Sequence, residues 1–382
     1  MKILLIPSWY EINTNKTLGS FFKEQAIALL KDGHEVVIAY PGFVSVKTFG
    51  KNKIGIYKYK DYGINVYRYD TYNFMYERLD LKAKIFEKKL YKLYQYIKKY
   101  ESKPDIIHVH SCLWGGYAAV KLGEREDIPV VLTEHSTAFS NDNIPKKSRK
   151  YIKYALNNTD RVLAVSNSLR KQMYQYCNNI NIEVVNNMVN VDEFNLSSKQ
   201  CNEKESFCFL TVCYLEEKKG LDILLKAFSK ISKRNVKLRI GGKGAEEEYL
   251  KGLTAQLGIG DSVEFLGGLT RTEVIQEMKE CDSFVLPSRH ETFGVVFIEA
   301  LASGKPIIAT KCGGPEDIVN SSNGILVDVN NIDQLADAMV NIMTNYRSYN
   351  PELIRNECKN KYSEKNIVKK LNKIYKDVLE GR

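Results

Sequence analysis

Residues 283–310 read SFVLPSRHETFGVVFIEALASGKPIIAT, and the architecture can be worked out from them. The apolar run at 283–287 predicts a buried strand, and after the polar loop 288–293 an apolar segment predicts a helix. Gly304 stands where a glycine ends a helix, and Pro306 opens a second apolar run. A strand, a helix and another strand in this order predict a parallel β-α-β unit.

The same alternation of apolar runs and helical periodicity continues on both sides of this unit. Further strands are predicted at 2–6, 35–40, 105–110, 130–133, 161–166, 207–212 and 236–241. Continuous apolar strands are typical of a parallel sheet with both faces covered. The pattern pauses over the polar residues 187–206 and then resumes, which predicts a linker. We therefore expect an α/β protein with two doubly wound, Rossmann-like domains, 1–190 and 191–362, facing each other across a ligand-binding cleft.

Composition narrows the class of protein. The chain has 382 residues, of which 44% are hydrophobic and 27% charged, which is typical of globular domains. No apolar run approaches the roughly 20 residues of a membrane-spanning helix. The apolar stretch in MKILLIPSWY is too short for a signal peptide. The eight cysteines form no C-x-x-C pair, so we expect reduced thiols and a cytoplasmic protein.

The positive charge is concentrated in the first half of the chain. Residues 1–190 hold 29 Lys and Arg against 18 Asp and Glu, whereas 191–382 hold 27 against 28. This asymmetry indicates an anionic partner: a membrane surface, an acidic ligand or nucleic acid. A genome composition that favours Lys and Tyr is the alternative explanation. Nucleic acid is not expected, because no recognised nucleic-acid-binding motif accompanies the charge.

Residues 79–103 predict a basic amphipathic helix. Phe86, Leu90, Leu93 and Ile97 follow helical spacing, and lysines and tyrosines occupy the remaining faces. Such a helix is able to lie on an anionic membrane. The alternative is a surface helix that packs its apolar face on its own sheet and leaves the lysines in solvent.

The loop and helix at 287–306 carry groups suited to a nucleotide sugar. Gly294 would let a ligand approach the amides at the helix start, where the helix dipole favours an anion such as phosphate. Glu299, further along the helix, suits a ribose diol. Glu291, on the loop, suits sugar hydroxyls. The alternative is an ordinary strand–helix unit with two solvated glutamates.

The chain resembles the retaining nucleotide-sugar glycosyltransferases of family 4, which have the GT-B fold. Glu291 and Glu299 match the Glu-x7-Glu signature of that family. The resemblance covers nearly the full length through fragments in the same order: LGSFFKEQAIALLKDGHEV, IIHVHS, VVLTEHS, VVNNMVNVDEF, YLEEKKGLDILLKAF, IGGKGAEEEYL, VEFLGG and CGGPEDIV. It also implies that a C-terminal helix, 363–382, crosses back onto the N-terminal domain.

The resemblance implies a role for individual residues. Glu299 would hold the nucleotide ribose, Glu291 the donor sugar, and Lys219 the diphosphate. Gly19 would belong to a glycine loop that closes over the phosphates, and His135 would stand at the reaction centre. His135, Glu291 and Lys219 are thus the catalytic candidates. The amides that face the sugar or diphosphate would be those of Phe293, Gly294, Val295 and Val296. The base would lie near Leu269 and Arg271.

The chain departs from the family at one phosphate-binding position. Family members commonly have Gly-Arg-Leu where this chain has Cys213-Tyr214-Leu215. The second cation that a diphosphate needs would then come from Lys218 or Arg289. If neither supplies it, the donor site is degenerate.

The implied function is hexosyl transfer with retention, from a UDP- or GDP-sugar to a glycan acceptor. The chain contains no D-x-D motif, so we expect no metal and no other cofactor. The basic first half favours an acceptor on a polyprenyl diphosphate at the inner membrane face, in surface polysaccharide biosynthesis, with peripheral contact to the anionic membrane. The alternatives are a soluble enzyme acting on a small metabolite and a non-catalytic GT-B subunit.

Two further motifs carry less weight. His108, His110 and His135 invite a metal site, but no carboxylate or cysteine joins them at ligand spacing. The loop 241–244, GGKG, follows a predicted strand as in a dinucleotide fingerprint, yet Glu247 stands where the third glycine belongs. A nicotinamide-dependent dehydrogenase is therefore a poor alternative.

Overall fold

The computed structural model describes residues 1–11, 18–50, 52–74, 79–140, 144–177, 180–196, 206–232 and 235–381. The chain divides into two compact units: Met1–Asn186 with Ile367–Arg382, and Asn187–Asn366. Residues 197–205 of the predicted linker, with Cys201, lie outside the described part. The seven described cysteines are free thiols.

The first unit is built on a largely parallel sheet in the order β3-β5-β2-β1-β6-β7-β8-β9, with β4 beside β5. Its strands are β1 Lys2–Pro7, β2 Glu35–Tyr40, β3 Phe43–Ser45, β4 Gly55–Asp61, β5 Ile64–Asn73, β6 Ile106–His110, β7 Val130–Glu134, β8 Arg161–Ala164 and β9 Ile182–Val184. Its helices are α1 Ser20–Lys31, α2 Leu79–Ile97, α3 Tyr117–Glu126, α4 Lys146–Asn157, α5 Asn167–Met173 and most of α12, Glu364–Glu380. The central strands β6 and β7 are buried throughout, because helices cover both faces.

One edge of this sheet departs from the predicted parallel pattern. β4 pairs antiparallel with β5 over its whole length, from Gly55 opposite Asp70 to Asp61 opposite Ile64. The residues of β4 alternate between half-buried and exposed positions toward its end, because one of its faces meets solvent. The sheet is therefore mixed, with an antiparallel hairpin at one side.

The apolar stripe of α2 is used inside its own unit. Phe86, Leu90, Leu93 and Ile97 are all buried. Lysines on the other faces, among them Lys84 and Lys88, are exposed. The helix therefore packs its apolar face on the sheet and presents lysines to solvent. Among the helices of the described residues, none combines the length and the apolar character that crossing a bilayer requires.

The second unit has a parallel sheet in the order β12-β11-β10-β13-β14-β15. Its strands are β10 Phe207–Val212, β11 Val236–Gly241, β12 Val263–Gly267, β13 Ser283–Leu286, β14 Ile307–Thr310 and β15 Gly324–Val327. Its helices are α6 Leu221–Ser229, α7 Glu247–Gln256, α8 Arg271–Glu280, α9 Val295–Ala302, α10 Ile332–Thr344 and α11 Pro351–Tyr362. The strand order reverses at β10: β11 and β12 follow on one side of it, and β13, β14 and β15 lie on the other. Ligands of doubly wound folds bind at such a switch point.

Candidate functional site

The start of α9 lies directly after the loop that the sequence singles out. Gly294 precedes the helix with a φ of +90°, and a Cβ there would come within 2.5 Å of the Phe297 ring. Glycine is the residue that adopts this conformation without strain. The amides of Val295 and Val296 have no acceptor within the helix, because they belong to its first turn. Together with the helix dipole, they favour an anion at this end.

Lys219 and Glu291 form an ion pair in the same unit, although 72 positions separate them. Their side chains are only 15% and 10% exposed. Ser288 Oγ also donates a hydrogen bond of 3.3 Å to Glu291 Oε1. Burial opposes the charged amine, but the adjacent carboxylate outweighs burial and raises the pKa of Lys219. The site therefore holds a fixed positive charge beside a carboxylate.

A glycine brings Lys219 to this position. Gly220 has a φ of +68°, and a Cβ on it would lie 2.2 Å from the carbonyl oxygen of Pro287. The turn that carries Lys219 therefore packs against the loop after β13 through bare backbone. The amide of Arg289 donates a 2.7 Å hydrogen bond to the carbonyl oxygen of Lys218, which joins the two loops.

A second glycine contact supports the loop at Glu291. The amide of Gly314 donates a 2.8 Å hydrogen bond to the carbonyl oxygen of Glu291. A Cβ on Gly314 would lie 2.4 Å from the backbone nitrogen and Cα of Phe293. The Phe293 ring is buried and meets the edge of the Tyr362 ring at 5.7 Å between centroids. Phe293 thus faces the protein core with its side chain, and its backbone remains at the loop.

Glu299 is paired with Arg271, which the sequence resemblance placed only near the nucleotide base. Arg271 donates to Glu299 Oε1, and its Nη2 lies 3.3 Å from Glu193 Oε2. Thr270 and Glu273 form a capping box that fixes the start of α8, so Arg271 is its first residue. Leu269, by contrast, packs against Gly241, where a Cβ would approach its side chain to 2.6 Å. The capping pattern T-x-x-E in the sequence is the signal that locates Arg271.

The two candidate replacements for the missing arginine differ in their contacts. Arg289 binds both carboxylate oxygens of Asp222, at 2.9 and 3.0 Å, and donates to Asn330 Oδ1 at 2.9 Å. Its guanidinium is therefore committed to joining its own loop to the first turn of α6 and to the segment before α10. Lys218 is half exposed and pairs with the equally exposed Glu216 at 2.7 Å. Because an exposed pair of this kind is weak, the geometry favours Lys218 over Arg289.

The glycines of the 241–244 loop have a packing role. A Cβ on Gly242 would lie 1.8 Å from the carbonyl oxygen of Cys213, and one on Gly244 would lie 2.2 Å from that of Leu215. The amide of Leu215 donates to the carbonyl oxygen of Lys243 at 3.1 Å. These glycines therefore let the loop pack on residues 213–215, which accounts for them without a dinucleotide.

In the first unit, the start of α1 lies against His135. Gly19 has a φ of +74°, and a Cβ on it would lie 3.1 Å from the carbonyl oxygen of Trp9. The rings of Phe21 and Phe22 follow, with centroids 4.8 and 5.2 Å from that of His135. The first turn of α1, which follows Gly19, thus lies against His135, a residue that the sequence assigned separately.

A buried carboxylate fixes the backbone at His135. Glu134 accepts hydrogen bonds from the amides of His135, Ser136 and Cys112, at 2.8, 2.7 and 2.7 Å. Its side chain is fully buried at the end of β7. Three amide donors stabilise a buried carboxylate and hold the turn in one conformation.

The three histidines are linked, as their spacing on neighbouring strands indicates. His108 and His110 stack with ring centroids 4.5 Å apart, and His110 Nδ1 lies 3.0 Å from His135 Nε2. Burial lowers the pKa of His108 to about 3 and that of His110 well below its usual value, so both are neutral. The described residues contain no group of three or more His, Cys, Asp or Glu side chains arranged to hold a metal ion.

The contacts of these rings define their tautomers. Gln25 Nε2 and the Tyr375 hydroxyl both lie at His108 Nδ1, at 3.2 and 2.5 Å, while His108 Nε2 lies 2.8 Å from Thr133 Oγ1. His108 therefore accepts at Nδ1 and carries its proton on Nε2. His110 Nε2 is buried and has no hydrogen-bond partner among the described residues. His110 is wholly buried whereas His135 is 7% exposed, so burying an N–H donor that the two rings do not share is more costly on His110. His110 therefore carries its proton on Nδ1 and donates it to His135 Nε2.

We predict opposite tautomers for His108 and for the pair His110 and His135. Two-bond ¹H–¹⁵N correlation spectra of protein labelled at its five histidines are the measurement. His108 should be protonated on Nε2, and His110 and His135 on Nδ1. Replacing Tyr375 by Phe should perturb the His108 resonances and leave the His135 pattern in place. A proton on Nε2 of His110 would contradict the assignment.

Known structures identify the fold. Sucrose-phosphate synthase from Thermosynechococcus elongatus superimposes with a TM-score of 0.82 at 19% identity, over 100% of each chain. Anabaena HepE in complex with UDP and glucose superimposes with a TM-score of 0.76 at 19% identity, over 98% of this chain and 99% of that one. The two parallel-sheet units therefore have the GT-B fold of glycosyltransferases.

Sequence comparison gives the family. The model for glycosyltransferase family 4 matches residues 18–193, and the model for glycosyl transferases group 1 matches residues 192–377. An uncharacterized glycosyltransferase of Methanocaldococcus jannaschii is 28% identical over 100% of this chain and 99% of its own length. The chain belongs to the group 1 glycosyltransferases of the family 4 type.

Proposed function

We propose that the chain transfers a hexose, with retention and without a metal ion, from a UDP- or GDP-sugar to a glycan acceptor. The contact between Lys219 and Glu291 beside the start of α9 carries this proposal. A largely buried cation and the first amides of a helix are pre-positioned for the charge that grows on a departing diphosphate. The complex of HepE with UDP and glucose supports a uridine nucleotide.

Each candidate site residue of the second unit then has a chemical role. Lys219 and the amides of Gly294, Val295 and Val296 neutralise the diphosphate. Glu291 orients hydroxyls of the sugar; its carboxylate is paired with Lys219, so we assign it no nucleophilic role. Glu299 binds the ribose diol, with Arg271 fixing one of its oxygens.

In the first unit, His135 is the residue at the reaction centre. Its ring is held by His110, and its backbone by Glu134. The Nδ1–H that results is a hydrogen-bond donor suited to a sugar hydroxyl or a phosphate oxygen. Gly19 provides bare backbone at the start of α1, whose first turn lies against His135.

Calorimetric titration of UDP, GDP and ADP, each with and without EDTA, tests the donor site. We expect one uridine or guanosine nucleotide to bind and to keep its affinity in EDTA, and Glu299→Ala to abolish that binding. Anomeric NMR of the product then reports retention or inversion. If no nucleotide binds, the proposed donor is wrong. If binding requires a divalent ion, the proposed metal-free mechanism is wrong.

Restoring the missing cation gives a directed prediction. Tyr214 is exposed at the surface. The neighbouring Cys213 is a neutral thiol, because burial raises its pKa to about 12 although Lys219 acts to lower it. Tyr214→Arg should raise the affinity for the nucleotide diphosphate about tenfold, because a charge-assisted hydrogen bond contributes about 1.5 kcal/mol or more. Calorimetry is the measurement, with Tyr249→Arg as the control at an equally exposed tyrosine of the same unit. Equal gains in both variants would show general charge attraction.

For the acceptor, we favour a glycan on a polyprenyl diphosphate in surface polysaccharide assembly, with the enzyme bound at the inner membrane face. The excess of Lys and Arg in residues 1–190 supports an anionic acceptor or surface. A small soluble acceptor is the second candidate, favoured by the full-length likeness to sucrose-phosphate synthase. Sugar transfer to extracted lipid-linked acceptors but not to sugar phosphates would support the lipid-linked acceptor. The opposite result would support the small soluble acceptor. Nucleotide binding without transfer to either would indicate a non-catalytic subunit.

A further inference from the structure

A cluster of aromatic side chains stands exposed at one edge of the first unit. Phe49 is 74% exposed and Phe74 is 78% exposed, and Tyr72 lies between them. The Phe49 and Tyr72 rings stack with their centroids 4.9 Å apart, and the Phe74 ring meets Tyr72 edge-on with a centroid distance of 6.3 Å. Val46 and Ile54 are exposed on the same loop. We call Val46, Phe49, Ile54, Tyr72 and Phe74 the aromatic edge. Contiguous exposed apolar groups of this kind mark an interaction site.

The loop that presents Phe49 is well organised. Ser45 Oγ accepts from the amide of Lys47 at 3.3 Å, and the carbonyl oxygen of Ser45 accepts from the Thr48 hydroxyl at 2.7 Å. The amide of Phe49 donates to Val46 at 3.1 Å, and that of Gly50 donates to the Tyr72 hydroxyl at 2.9 Å. These bonds close a turn whose outermost side chain is a phenylalanine. The exposure of Phe49 is therefore a property of the folded loop.

Residues 41–60, which include Val46, Phe49 and Ile54 of the aromatic edge, carry charge of one sign. Residues 41–60 contain five lysines and no aspartate or glutamate. Of these, Lys47, Lys53, Lys58 and Lys60 are exposed. Asp70, within β5, is buried and paired with Arg68 at 3.0 Å, so it does not offset these lysines at the surface.

We infer that the aromatic edge is the surface by which the chain binds an anionic lipid bilayer. Aromatic rings favour the interface between headgroups and acyl chains, and each lysine near an anionic surface adds attraction. This inference deepens the proposed function, since it rests on a membrane-borne acceptor and names the contact. It also replaces α2 as the inserting element, because the apolar stripe of α2 is buried in the unit itself.

A second copy of the chain fits this surface less well. A symmetric dimer through the aromatic edge would place the lysines of residues 41–60 opposite their own counterparts. Like charges brought together in this way are destabilising. An anionic bilayer, in contrast, accepts the rings and neutralises the lysines at the same time.

Flotation of the full chain with lipid vesicles tests the inference without substrate. We expect binding to vesicles of equimolar phosphatidylglycerol and phosphatidylcholine, and little binding to phosphatidylcholine alone. Phe49→Ser with Phe74→Ser should lower the partition coefficient at least about tenfold. Lys47→Ser with Lys53→Ser should lower it about 30-fold at low salt. Tyr249→Ser, at an exposed ring of α7 in the other unit, is the matched control and should bind as the unaltered chain does.

Three results would overturn the inference. They are undiminished flotation of the Phe49 and Phe74 variant, equal binding to vesicles without phosphatidylglycerol, and a concentration-dependent dimer that the same two substitutions dissociate. Nucleotide titration of the same variant keeps the two proposals apart, since these residues lie outside the donor site. A melting temperature and a far-ultraviolet circular dichroism spectrum close to those of the unaltered chain show that the first unit of the variant is folded. Loss of vesicle binding with retained nucleotide binding supports the membrane contact alone.

Discussion

Replacing Lys219 by methionine is expected to lower kcat/KM about a thousandfold. Lys219 is the largely buried cation beside Glu291, and methionine keeps the approximate length of the side chain without its charge. The departing diphosphate would lose its nearest fixed positive group, and Glu291 would be left buried without its counter-ion. Steady-state transfer or hydrolysis of the nucleotide sugar is the measurement.

Lys218 provides the matched control, because it is the adjacent lysine of the same turn. It is half exposed and pairs with Glu216, so Lys218→Met removes the same charge from the surface. We expect a loss of about tenfold at most, arising from its part in binding the diphosphate. Equal losses in the two variants would contradict the distinct role of Lys219. A melting temperature close to that of the unaltered chain shows that the Lys219 variant is folded.

Gly314→Ala is expected to disrupt both stability and activity. Its Cβ would lie 2.4 Å from the nitrogen and Cα of Phe293 and 2.5 Å from the carbonyl carbon of Thr292, all of them backbone atoms. The loop that carries Glu291 would have to move, which costs about 2–3 kcal/mol of unfolding free energy. A displacement of about 1 Å at the site would also lower kcat about a hundredfold. Denaturant unfolding and steady-state kinetics measure the two effects.

Gly252→Ala is the control for the added methyl group. Gly252 lies within α7, and a Cβ there would meet no described atom within 4 Å beyond its own helix and neighbours. Alanine should stabilise the helix by about 1 kcal/mol and leave kcat unchanged. If Gly314→Ala behaved in the same way, the loop would not depend on this contact.

Much of the fold was predictable because buried strands are continuous apolar runs. Residues 283–287 and 207–212 coincide closely with β13 and β10. The β4–β5 hairpin was missed, although its signals are present: Tyr and Lys alternate over 57–60, and Gly63 follows Tyr62 at the turn. A half-exposed antiparallel strand alternates in this way, and a search for apolar runs passes over it.

Parts of the site depend on side-chain contacts that no local pattern contains. The GT-B resemblance singled out Glu291, Glu299 and Lys219, but not the pairing of Glu299 with Arg271, 28 positions away. His108 and His110 are two positions apart on β6, so their side chains point the same way, and their rings stack. The hydrogen bond from Tyr375 to His108 joins positions 267 apart, so periodicity offers no signal for it.

That contact with Tyr375 has a consequence for the order in which the chain folds during synthesis. The first unit is completed by Ile367–Arg382, so its final helix is made last. The segment Asn187–Asn366 is contiguous, and all of its strands have been translated while the earlier unit still lacks α12. Domains generally fold as units as they emerge. Of the two units, the one whose synthesis starts first is therefore the one that is completed last. A nascent chain arrested near residue 366 would leave the Nδ1 atom of His108 without the hydroxyl of Tyr375.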